Sequence, residues 1–405
     1  MTPSLRHVLQ AIGLCALLAA GCKKGETQFR LDNGLRVQLV PSSGDKAALA
    51  ILFDVGADHD PPDRSGMAQL VNRLFATMDR EGKPNRTVQT RTGGSYTFYG
   101  LAVPRERLMD EIDDAAARLS TLAPTEADLT REKPRLLEQI ASMQEGDPNL
   151  AAINRASEAL RPSPGGGKRG GIAAEVQPIT LAEVDAFRRA HYGASTARLV
   201  VAGHFDAAEV TKKIRAAFAN VPAATPPRAR PDAGSRVTGT LVMGDMPSAF
   251  ALAVPVPDPK DPLYAAFVVL AARVNGDGNH ARAWTGNFAP LARPDTLLVT
   301  AAIPKDQQPE AFAEKIRSEV SALVKAPLGA DEATKALAMF GNLLGLAPTG
   351  EPLETAFAAG RRTQIGFDPK ALEQAATKVT AEQVTEGAKL FDKANSAAVV
   401  AGGKV

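Results

Sequence analysis

The sequence predicts an α+β protein built of two homologous halves, each an antiparallel sheet flanked by helices, joined by a Pro-rich linker. Three observations carry this expectation. The segment 179–203, ITLAEVDAFRRAHYGASTARLVVAG, returns 200 residues later as 379–402, VTAEQVTEGAKLFDKANSAAVVAG. Each copy has a Thr N-cap, an amphipathic helix, a small polar turn, and a strand ending in Val-Ala-Gly. Strand and helix patterns mix with hairpin signals rather than strict βαβ alternation, which favours α+β. Finally, 223–236 reads AATPPRARPDAGSR, a Pro-rich stretch that separates the halves. The expected divisions are a signal peptide 1–21, a tether 22–26, a first repeat 27–222, the linker 223–236 and a second repeat 237–405.

Taken in order, the first half opens on a hairpin, with strands near 29–31 and 36–40 about the turn Asp32–Asn33–Gly34. Asn-Gly supplies the backbone freedom that tight hairpin turns need. A strand follows at 48–55, a helix near 66–80 and a strand at 96–103, then helical stretches around 105–122, 125–144 and 149–160. The second half repeats the theme, with strands near 240–243 and 249–254, a helix from Pro262 and a strand at 296–303. Helices are then expected around 309–324, 330–344 and 351–364.

Composition narrows the function. The chain has 405 residues, 47 basic and 45 acidic, for a net charge of +2, with aromatics at 5%. That balance offers neither the basic stripe nor the stacking platforms of a nucleic-acid partner. The glycine-rich stretch 165–171 contains Lys168, yet it lacks P-loop spacing and a Ser or Thr after the lysine.

The first residues, MTPSLRHVLQAIGLCALLAAGCKK, combine a basic start, a short apolar run and the small-residue ending Ala19-Ala20-Gly21 before Cys22. This pattern resembles a bacterial lipobox. It implies a lipid attached to Cys22, and a protein held in the cell envelope, at the outer membrane facing the periplasm. No free thiol would remain in the mature chain.

The helix 66–75, GMAQLVNRLF, has an apolar face from Met67, Leu70, Val71 and Leu74. Gln69, Asn72 and Arg73 lie at i, i+3 and i+4 on the polar face. The approach LFDVGADHDPPDRSGMAQLVNRLF, the opening LDNGLRVQLVPS and the later 181–222 segment resemble the insulinase/pitrilysin family of inverted zinc peptidases. Family members carry a Gly-x-Ala-His-x-x-Glu-His-x-x-Phe helix; Gly66 and Ala68 stand in that frame, and Phe75 lies one residue before the position of its Phe.

The resemblance implies a two-half fold and locates a metal site that this chain has lost. Two imidazoles one turn apart grip zinc, and a Glu activates water. Here those positions hold Gln69, Asn72 and Arg73. The remaining ligand, a Glu on a later helix, aligns with Gln139, while Glu138 is rotated by about 100° on a helix. Zinc is therefore not expected as a cofactor, and the chain reads as a peptidase homologue without catalysis. Arg282 and Arg293 are the second-half candidates for the family's substrate grip, but its tyrosine is missing.

The implied role is that of a non-catalytic partner for an active sister subunit with an intact zinc motif. A stand-alone peptide-binding role is the alternative. Its peptide-adding edge strand is expected at Ser95, Tyr96, Thr97, Phe98 and Tyr99. An active peptidase with displaced ligands is the third reading.

Overall fold

The computed structural model describes residues 26–78, 88–145, 147–162, 170–224, 235–244, 248–276, 282–346 and 350–402. The expected signal peptide 1–21, Cys22, residues 225–234 of the expected linker and 163–169 of the glycine-rich region lie outside the described residues. None of the described helices is long and apolar enough to cross a membrane.

The first half runs β1 (Thr27–Arg30), β2 (Arg36–Pro41), β3 (Lys46–Phe53), α1 (Met67–Thr77), β4 (Gln89–Thr92) and β5 (Thr97–Pro104). It continues through α2 (Leu108–Ser120), α3 (Glu126–Glu145), α4 (Pro148–Leu160), α5 (Ala173–Val176), α6 (Leu181–His191), β6 (Ala197–Gly203) and α7 (Ala207–Phe218). The second half comprises β7 (Gly239–Met243), β8 (Ala249–Pro255), α8 (Tyr264–Asn275), β9 (Thr285–Asn287) and β10 (Thr296–Ala302). It closes with α9 (Pro309–Val324), α10 (Glu332–Phe340), α11 (Pro352–Ile365), α12 (Pro369–Ala376), α13 (Ala381–Ala388) and β11 (Ala397–Ala401).

Two sheets result, in the orders β1-β2-β6-β3-β5-β4 and β7-β11-β8-β10-β9. The repeated segment supplies matching parts of each. Thr180 and Thr380 both cap their helices through capping boxes, with Glu183 and Gln383 as the reciprocal side chains. The strands that follow insert into their sheets, β6 between β2 and β3 and β11 between β7 and β8. Both insertions are parallel, β2 with β6 and β7 with β11, while the other pairings are antiparallel. The sheets are therefore mixed rather than antiparallel as expected. The reason is connectivity, since β6 and β11 arrive after long helical crossovers and not from tight hairpins.

Each sheet has two buried faces. In β8, Phe250, Leu252 and Val254 join the helices of their own half, whereas Ala249, Ala251 and Ala253 face the other way. Ala152, Ala156, Ala159 and Leu160 of α4, a helix of the first half, cover that alanine face. The reciprocal contact has α11 of the second half lying on Ala48, Ala50 and Leu52 of β3 and Val200 and Ala202 of β6. The two halves thus exchange helices, and small residues on both surfaces let helix and sheet approach closely.

The closest approach is at Gly360 of α11. A Cβ there would sit 2.5 Å from Leu52 Cδ1 and 3.1 Å from Val200 Cγ2. Gly360→Val is expected to lower stability by about 1–3 kcal/mol through overpacking, measured by urea unfolding. An unchanged midpoint would refute tight packing at this seam.

Candidate functional site

Helix α1 is held at both ends. Gly66, with φ of +100°, turns the chain into the helix, and a Cβ there would meet Val176 Cγ2 at 2.8 Å. The Asp60 carboxylate accepts the N–H groups of Gly66 at 2.6 Å and Ala68 at 2.7 Å, satisfying donors that a helix start leaves open. Burial pushes the Asp60 carboxyl up to about 7, opposed by these two N–H donors and reinforced by the nearby charge of Asp58. At the other end, buried Arg118 of α2 donates to Phe75 O at 2.7 Å and pairs with Asp114 at 2.8 Å. Beneath the helix, Phe75 packs on Phe53 and Tyr99 with ring centroids 5.6 and 5.2 Å apart.

The four degenerate positions fall on α1 and α3. Gln69 is half-buried on α1. Arg73 Nη1 donates to Gln139 Oε1 at 2.9 Å, so two of the four meet directly. Arg73 Nε also lies 3.7 Å from Glu132 Oε2. Glu132 is buried, one α-helical heptad before Gln139, and receives Arg131 at 3.2 Å and Arg135 at 2.8 Å. A guanidinium ion therefore bridges α1 and α3 where the family resemblance places a metal. Two like charges about 4 Å apart repel by roughly 4 kcal/mol at an effective dielectric of 20, and a divalent ion doubles that. The donor set does not fit zinc: two amides and an arginine replace the imidazoles and carboxylate.

Asn72, where the resemblance places the water-activating Glu, is buried and serves as a structural donor. Its Nδ2 reaches Arg91 O at 3.1 Å, Thr92 Oγ1 at 3.3 Å and Phe98 O at 3.3 Å. Two backbone carbonyls on one side demand an N–H₂ there; a carboxylate in that place would face lone pairs with its own. Asn72 thus ties α1 to strands β4 and β5.

The remaining candidates separate. Ser95 and Tyr96 lie in the turn before β5, and Thr97, Phe98 and Tyr99 are covered on their outer flank by β4. The edge is accordingly β4, Gln89–Thr92, and the expected edge at 95–99 is corrected by one strand. Polar QTRT gave no strand periodicity, so β4 escaped the sequence reading. Arg282 donates to Arg273 O at 3.0 Å and Val274 O at 3.1 Å, closing the end of α8. Arg293 donates to Asn287 Oδ1 at 2.6 Å. Around His59, whose Nδ1 accepts the Gly56 N–H at 3.2 Å, the acidic loop serves as the entry to α1. Among the described residues, no group of three or more His, Cys, Asp or Glu side chains is placed to hold a metal.

Fold and site together give a two-sheet α+β scaffold in which Arg73, Gln139 and Glu132 meet between α1 and α3, where the resemblance places a metal. Residues 178–284 match the family model described as Peptidase M16 inactive domain. Among solved structures, a protease from Helicobacter pylori aligns at a TM-score of 0.77 and 18% identity, over 92% of this chain and 98% of that one. A peptidase M16 inactive domain from Pseudomonas fluorescens aligns at 0.75 and 18%, over 94% and 98%. The periplasmic protease PqqL from Escherichia coli aligns at 0.71 and 15%, over 93% of this chain but 47% of that one. These three likenesses establish the fold. No curated protein matches the sequence.

Arg73→Ala is expected to destabilise the chain by about 1–3 kcal/mol, because it removes the α1–α3 bridge and leaves Gln139 without its donor. Urea unfolding of the two proteins measures this, and equal midpoints would remove the bridge from the account.

Proposed function

We propose that the chain is the non-catalytic partner subunit of an active zinc peptidase of the same fold, and that the pair degrades peptides in the bacterial cell envelope. The carrying observation is the Arg73–Gln139 contact at 2.9 Å, a closed metal position inside an otherwise complete two-sheet scaffold. Chemistry must then come from a second chain with an intact H-x-x-E-H helix. The length relation supports a pair, since this chain spans 47% of PqqL, a periplasmic protease. Two subunits of this size would make up one such length. The tether fits the location: a lipid on Cys22 would hold the subunit at the outer membrane, facing the periplasm. Neither zinc nor nucleic acid enters this role.

A second reading rests on β4. An edge strand can add an extended peptide through backbone groups alone, with no metal. Asn72 holds that strand to α1, so the edge stays ordered although catalysis is absent.

Native membranes solubilised in mild detergent, with the full chain purified by a tag, test the first reading. A stoichiometric companion bearing the zinc motif is expected. Recovery of the chain alone, as monomer or homodimer, would overturn the subunit role and leave peptide capture at β4. In the same cells Cys22→Ser is expected to move the chain from the membrane to the soluble fraction. Unchanged partition would remove the lipid anchor.

A further inference from the structure

Where α11 lies on the first sheet, its polar end meets a cluster of arginines. Arg36 of β2 and Arg198 of β6 are register partners on adjacent strands, and their side chains share the face turned toward α11. Like charges directly opposite in a sheet are destabilising, the more so when water is excluded. Arg361 of α11 adds a third guanidinium, which is completely buried. The carboxylate in contact with this group is Asp54, which accepts Arg36 Nη2 at 2.5 Å and Gln364 Nε2 at 2.6 Å. Asp295 acts on Arg361 through its field, and Arg293 brings a fourth guanidinium beside Tyr96. Positive charge is thus in excess at this seam.

The hydrogen bonds are also incomplete. Arg361 Nε donates to Leu291 O at 2.8 Å, and Nη1 donates to Gln364 Oε1. Arg198 Nη1 reaches Gly360 O at a long 3.4 Å. Arg36 Nε and Arg361 Nη2 are buried with no hydrogen-bond partner among the described residues. The Arg361 guanidinium lies over the Tyr96 ring at 3.8 Å, which offsets part of its burial cost and leaves the in-plane Nη2 donor open. Burial pushes Arg198 and Arg361 down to about 10, and for Arg198 the neighbouring Arg36 and Arg361 charges add to the fall. Both stay charged at neutral pH. The rim is open to solvent, because the Arg36 and Asp54 side chains keep 32% and 34% of their exposure.

We propose that this seam is an anion site, in which a small oxyanion of the phosphate or sulfate type binds between Arg36, Arg198 and Arg361. Guanidinium forks match such oxygens, and the ion supplies the negative charge and acceptors that the protein withholds. Asp54 competes with the ion for Arg36. Because β2 and β6 belong to one half and α11 to the other, an ion here clamps the two halves together.

Titration calorimetry of the full chain with inorganic phosphate, at constant ionic strength, tests the site. Saturable binding is expected, absent with chloride, and accompanied by a rise of the unfolding midpoint of about 1–3 °C at a tenfold excess over Kd. Arg36→Gln is expected to weaken binding about tenfold or more, as loss of a charge-assisted bond does. Asp54→Asn is expected to tighten it, a gain that general destabilisation cannot produce. A response equal to that of chloride overturns the proposal, as does unchanged affinity in folded Arg36→Gln. Should Arg36→Gln fail to fold, unchanged affinity in Asp54→Asn overturns it instead.

Discussion

The architecture depends on the exchange of α4 and α11 between the halves. Neither sheet has a second helical layer of its own on its alanine face. Helix α4 covers Ala249, Ala251 and Ala253, while α11 covers Ala48, Ala50 and Ala202. Small side chains bring helix and sheet into contact, and Gly360 allows the tightest approach. Because each half completes the other, the relative placement of the two sheets is set by core packing and not by the linker.

Helix α1 is held in place without the side chains at the positions where the resemblance puts a metal. Helix α1 is fixed at its start by Asp60, at its end by Arg118, and underneath by Phe53, Phe75 and Tyr99. None of these contacts passes through residues 69, 72 or 73. Two of these three positions make other contacts. Arg73 spans to Gln139 and Glu132 on α3, and Asn72 secures β4 and β5. Each is a protein–protein contact in a place where the family resemblance puts metal chemistry.

Much of this was legible in sequence for physical reasons. The duplicated helix–strand unit carries two Thr capping boxes, and a cap is a local signal that a single chain displays. The side chains at 69, 72, 73 and 139 differ sharply in chemistry from the metal ligands that the resemblance places there, and the structure brings Arg73 and Gln139 of these into contact. Glu132 was not visible, because its role depends on three arginines converging on a buried carboxylate. Strand β4 was missed because four polar residues at a sheet edge have no apolar alternation. The exchange of helices left a trace that went unread: alternate alanines along β8 announce a face meant for close approach, while Phe250, Leu252 and Val254 announce an ordinary core. Which helix would meet those alanines is a matter of tertiary pairing, beyond any local pattern.

The exchange also orders events in time. The strands of the first sheet precede residues 352–365 in the chain, so Ala48, Ala50, Leu52, Val200 and Ala202 are covered only when α11 joins them. Until then the emerging first half is a one-sided sandwich with a bare apolar surface, and α4 has no strands to lie on. The two seams can form only once α11 and the strands β8 and β11 are all present, and a chain lacking either leaves an apolar sheet face uncovered.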